Sequence, residues 1–201
     1  MADLAHELGH HDEHEGLGVD NRKLAMWVFL ASEFMFFGAF ISTYLLFKGR
    51  EGLTPPIPRD LYDIPFTSVS SFVLLMSSLT MVLAHNALSR KDQPATRSWL
   101  LATAMLGMVF IGGQVFEFST FVQEGMTMRT NAAASGFYLL TGFHGTHVVI
   151  GIIMLLSLYG ISRRQDGLSE AKGLNLELVG LYWHFVDIIW IVIFTVVYLI
   201  P

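Results

Sequence analysis

The residues Gly136 to Gly151, GFYLLTGFHGTHVVIG, lie in an apolar run long enough to enter a bilayer, and that setting narrows the backbone to very few forms. Within hydrocarbon every backbone N–H and C=O must be satisfied inside the chain, so a single apolar run of this kind is a helix. Residues i and i+3 share a helix face, so His144 and His147 point the same way, and Gly142 and Gly145 thin the helix beside them. That face is expected to meet protein and not lipid. A second stretch, Tyr182 to Trp190 (YWHFVDIIW), repeats the pattern with His184 and Asp187. Two helices therefore each carry one polar stripe.

Five such runs occur, each close to the roughly 20 residues that a span requires. The expected spans are about 22–47, 66–88, 97–121, 136–161 and 174–200. Of the 201 residues 53% are hydrophobic and 14% charged, against roughly 25% charged in a soluble domain, so the fold class is an all-α, polytopic membrane protein: a bundle of five transmembrane helices. The absence of cysteine excludes disulfides, thiolate metal sites and iron–sulfur clusters. No basic run or aromatic–basic interleaving supports nucleic-acid binding.

Residues 1–20 form a polar, acidic segment with His6, His10, His11 and His14 and none of the pattern of a secretory signal. It is read as a solvated cytoplasmic tail; binding of a divalent metal is the other reading. In the first span Glu33 falls about halfway along, where an ionised carboxylate costs about 2.5–3.5 kcal/mol, so it should face a partner. Gly38 and Ser42 make a small-xxx-small pair suited to close approach by another helix. Pro55, Pro56, Pro58 and Pro65 stiffen the following loop.

Ser71, Ser78 and His85 recur every seven residues in the second span, as expected of a helix-packing face. Gly107, Gly112 and Gly113 permit tight packing of the third, where Gln114 and Glu117 are again i and i+3. Glu117 lies near an end, from which a carboxylate can snorkel to the interface, so it ranks below Glu33 as a functional candidate. Arg22, Lys23, Arg90, Lys91, Arg97, Arg163, Arg164 and Lys172 fall on one side, and Lys48, Arg50, Arg59 and Arg129 on the other. The positive-inside rule then puts the amino terminus in the cytoplasm and the carboxyl terminus outside.

Glu33, His144, His147, His184 and Asp187, with Glu117 and His85 nearer the ends, admit three chemistries. Haem ligation needs histidines on facing helices, which His144 with His184 could supply. A proton path would run through Glu33, His147 and Asp187. Interhelical hydrogen bonds, including a satisfied Asp–His pair, together with lipid head-group sites, form the structural reading.

At these residues the chain resembles a known family. GFYLLTGFHGTHVVIG and LYWHFVDIIWIVIFTVVYLIP look like the two signature segments of subunit III of the haem–copper oxidases. ASEFMFF, with Glu33, and GGQVFEF, with Glu117, look like two further segments, so the likeness runs from Asn21 to Pro201. It resembles the short form that lacks the first two of seven helices.

The resemblance implies a non-catalytic subunit of a bacterial inner-membrane cytochrome c or quinol oxidase, with haem and copper in partner subunits I and II and no cofactor in this chain. It further implies bound phospholipid, support of subunit I in proton uptake and turnover lifetime, and a match of Glu33 to the family's carbodiimide-reactive carboxylate. His144, His147, His184 and Asp187 match motif positions. The alternatives are a self-contained proton-coupled transporter, against which stands the lack of inverted halves, and a free-standing membrane cytochrome.

Overall fold

The computed structural model describes residues 20–50, 52–163 and 170–200; the tail with His6, His10, His11 and His14 lies outside them. Six α-helices follow one another with no strand among the described residues: α1 (Asn21–Lys48), α2 (Pro58–Leu61), α3 (Ile64–Ser89), α4 (Gln93–Gln123), α5 (Ala132–Ser162) and α6 (Glu170–Phe194). A π-helical turn, Thr195–Leu199, continues α6. All but α2 are long and apolar enough to cross a membrane.

Most of the long helices run past the apolar stretches because their ends are set by polar caps. Asp63 and Asp92 accept hydrogen bonds from the Phe66 and Ala95 amides, with a proline in each first turn, and Asn131 accepts from Ala134. The third span therefore begins at Gln93 and not near Arg97, and the fourth at Ala132 and not near Gly136. Hydropathy marks the length in lipid; the cap marks the end of the helix.

Helices α3, α4, α5 and α6 close a ring of neighbours, and α1 leans on α5 and α6 from outside. The buried residues of α1 are Leu30, Phe37 and Tyr44, one every seven, so the helix offers a single narrow seam. Polar clips hold it at three depths. At its start Lys23 meets Glu177 at 2.6 Å; near mid-length Glu33 meets His147; at its end the Lys48 ammonium donates to the Val196 carbonyl at 2.8 Å. The Gly38–Ser42 pair does not serve packing among the described residues, where a Cβ on Gly38 would meet nothing within 4 Å. Gly112 likewise faces open space, whereas Gly113 lies against Ser70.

The ring is locked around one side chain. Trp183 of α6 is fully buried and its indole N–H donates to Ser77 Oγ of α3 at 2.9 Å. Its ring fills notches in the other two helices. A Cβ on Gly107 of α4 would come within 2.7 Å of Trp183 Cη2, and one on Gly151 of α5 within 2.8 Å of Cε3. Real Cβ atoms do not approach this closely, so both positions require glycine for as long as the indole stays in place.

Candidate functional site

The sequence-predicted polar residues fall into three places. The first is the contact of α1 with α5. His147 Nδ1 is 2.9 Å from the Phe143 carbonyl, and His147 Nε2 is 3.2 Å from Glu33 Oε2. A carbonyl only accepts, so Nδ1 carries a proton and donates it. The Nε2–Oε2 contact is then a hydrogen bond only if one further proton lies between the two atoms, on the carboxyl or on the ring. In both arrangements the pair is neutral overall, and that removes the penalty of a lone charge in hydrocarbon. The Tyr182 hydroxyl donates to the His147 carbonyl at 3.0 Å, and the imidazole is packed against Phe37 and Phe143.

This geometry separates two substitutions. Glu33→Gln keeps a donor, its amide N–H₂, opposite Nε2; Glu33→Ala leaves the ring nitrogen without a partner. Glu33→Ala is expected to lower stability by about 1 kcal/mol, in the range of interhelical hydrogen bonds in membranes, and Glu33→Gln by a few tenths. Thermal melts of the detergent-solubilised protein compare them, and equal melting of the two variants would contradict the proton assignment.

The second place lies one turn back on α5. His144 has no exposed surface; its ring stacks on Trp190 at 4.9 Å and meets the edge of Phe110 at 6.0 Å. Neither nitrogen has a hydrogen-bond partner among the described residues. Phe37 touches both histidines, yet one ring is turned to α1 and the other to α4 and α6. A spacing of three residues gives a shared face but also a 60° rotation, enough to send the two rings to different neighbours.

The third is the contact of α3 with α6. His184 Nδ1 is 2.6 Å from Ser78 Oγ, so the imidazole pairs with serine and not with Asp187 one turn away. Asp187 is buried, with 3% of its surface exposed, and neither carboxyl oxygen has a hydrogen-bond partner among the described residues. Ser78 is its polar neighbour. The satisfied Asp–His pair expected from the sequence is thus not formed: at i and i+3 both side chains are directed at the same neighbouring helix, and the serine there takes the histidine. Trp190 Nε1 donates to Ser71 Oγ at 2.8 Å, so the Ser71–Ser78 face is spent on indole and imidazole. Among the described residues no three His, Asp or Glu side chains come close enough to share a metal ion.

Glu117 does not snorkel. It is buried, with the Thr67 hydroxyl 2.8 Å from Oε1 and the Tyr198 hydroxyl donating to Oε2 at 3.1 Å. The cause lies at the chain's end, where the π-helical turn carries Tyr198 back over α4. The Tyr62 ring meets that of Tyr198 at a tilt, with centroids 4.5 Å apart, and its hydroxyl is 3.0 Å from that of Tyr44. Burial and the neighbouring Tyr44 push the Tyr62 phenol well above its usual range. Its neutral form, and the stability it contributes, is therefore complete below about pH 10 and lost only as pH rises beyond it. Tyr44, Tyr62 and Tyr198 escaped the sequence reading; the seven-residue spacing of Phe37 and Tyr44 was the one signal available.

These features define a five-span membrane protein whose titratable residues form separate interhelical contacts and not one cage. Comparison with known proteins then supplies the family. A sequence model described as cytochrome c oxidase subunit III matches residues 1–200. A probable quinol oxidase subunit 3 of Staphylococcus saprophyticus is 36% identical over 187 residues, covering 93% of this chain and 91% of the relative. Cytochrome c oxidase subunit 3 of Thermostichus vulcanus is 38% identical over 181 residues, 90% of this chain and 88% of the relative. A probable quinol oxidase subunit 3 of Staphylococcus haemolyticus is 35% identical over 187 residues. The chain belongs to the cytochrome c oxidase subunit III family.

Proposed function

We propose that this chain is the non-catalytic subunit III of a bacterial haem–copper terminal oxidase, held against subunit I in the inner membrane with its amino terminus in the cytoplasm. The observation that carries the reading is the relation to oxidase subunits along nearly the full length of both chains, whichever donor the relative is named for. In this reading haem and copper sit in subunits I and II, and the contribution of subunit III is mechanical and protective. It stabilises subunit I, binds phospholipid along its apolar helix faces and sustains proton uptake during turnover. The exposed apolar side of α1, with Trp27, Phe34 and Met35, supports it by offering surface to lipid and to partner helices.

Capture of the chain from native membranes in mild detergent is expected to bring haem absorbance and oxygen uptake with it. The electron donor that restores uptake, quinol or cytochrome c, identifies the oxidase type. A colourless, partner-free preparation would overturn the reading. Removing the chain is expected to leave initial oxygen uptake largely intact and to shorten the active lifetime of the remaining enzyme several-fold. Unchanged assembly, turnover rate and lifetime in Glu33→Ala would remove Glu33 from this role.

A further inference from the structure

Between α3 and α6 lies a cavity of about 180 Å³, lined by Met81, Val82 and His85 on one helix and Glu177, Leu181 and His184 on the other. Its mouth is near the end of the bundle where α3 finishes and α6 begins, beside the Lys23–Glu177 ion pair. Its floor is deep. His184 follows Gly173, the first residue of the apolar span, by eleven positions, or about 16 Å of helix, near the middle of a hydrocarbon layer about 30 Å thick. Gly180 lies in the wall between, where a Cβ would come within 3.2 Å of Met81 Cε.

Of the three titratable side chains on the groove Glu177 is paired with Lys23, but His85 and His184 are costly there if hydrocarbon fills it, because an acyl chain offers them no hydrogen bond. His184 uses Nδ1 on Ser78, which leaves Nε2 for the groove. One turn further on α6 Asp187 lies off the cavity, with Ser78 as its polar neighbour. Buried polar groups left without a protein partner are ordinarily satisfied by ordered water, and the cavity has room for several molecules at roughly 30 Å³ each.

We infer that the α3–α6 groove is a water-filled half-channel, open at the arginine- and lysine-rich end of the bundle and closed at His184. Its water reaches about half the depth of the membrane and exchanges protons with His184. The lipid-facing side of α6 beyond it, from Ile188 onward, is dry. The inference stands on the helices of this chain and holds whether or not the protein assembles with an oxidase.

Because the chain has no cysteine, single cysteines report water directly. In native membranes carrying the full chain, Leu181→Cys in the groove and Ile188→Cys, 57% exposed two turns further on, are treated with a charged, membrane-impermeant thiosulfonate. Leu181→Cys is expected to react at least tenfold faster than Ile188→Cys, and only from the arginine- and lysine-rich side. Val82→Cys on the facing helix should behave like Leu181→Cys, and keeps the test decisive if one variant fails to accumulate. Groove cysteines as slow as Ile188→Cys, with all three labelled by a membrane-permeant maleimide, would show a lipid-filled groove and overturn the inference.

Discussion

Replacing Trp183 by alanine is expected to lower the stability of the bundle by about 3 kcal/mol, the lower end of the range for large aromatic truncations in water-soluble cores. The lower end applies because the unfolded reference in a membrane already has its apolar groups in lipid, so the transfer part of the loss is small and packing carries the effect. The indole touches α4 at Gly107 and α5 at Gly151 and donates to Ser77 on α3, so one truncation loosens four helices together. Trp183→Phe should recover most of the packing and forfeit the hydrogen bond, falling between the two. The reverse change tests the same contact: a leucine at Gly151 cannot coexist with the ring and should destabilise by about 1–3 kcal/mol. Reversible unfolding in mixed micelles measures all three. A Trp183→Ala variant within a few tenths of wild type would show that the indole does not hold the ring of helices.

Truncating Glu117 to leucine is expected to cost about 1–3 kcal/mol, because it strands the buried Tyr198 hydroxyl, whose only described acceptor is the Glu117 carboxyl. Thr67 is not stranded: its hydroxyl also lies 2.9 Å from the Asp63 carbonyl. Glu117→Gln should be nearly neutral, since the amide oxygen still accepts from Tyr198 and the amide nitrogen can donate to Thr67. The double variant Glu117→Leu with Tyr198→Phe removes both members of the bond and should regain part of the loss. Failure of that second change to restore any stability would mean that the carboxyl acts elsewhere than through Tyr198. Melting of the detergent-solubilised wild type and the three variants decides the matter.

The polar residues differ in how openly the sequence displays them. Glu33, His144, His147, His184 and Asp187 are conspicuous because any titratable group within a long apolar run is out of place there. Their partners are not conspicuous. Glu33 meets His147 across 114 positions of sequence, and His184 meets Ser78 across 106. Periodicity gives each residue a face on its own helix, but the rotation of that helix against its neighbours decides what the face meets. Gly38 shows the same limit from the other side: a motif suited to helix contact is turned away from every described helix.

The sequence by itself determined the solvent, the number of spans and their composition, because a bilayer demands long apolar helices and tolerates few charges. It also carried the family in four ordered segments. Only the tertiary structure decided that Glu117 is buried under Tyr198, that Trp183 joins four helices, and that His184 pairs with Ser78 and not with Asp187. The reason is physical. Lipid and the apolar interior of a bundle make the same demand on a side chain's polarity, so hydropathy marks what enters the membrane but cannot distinguish a lipid-facing position from one locked between helices.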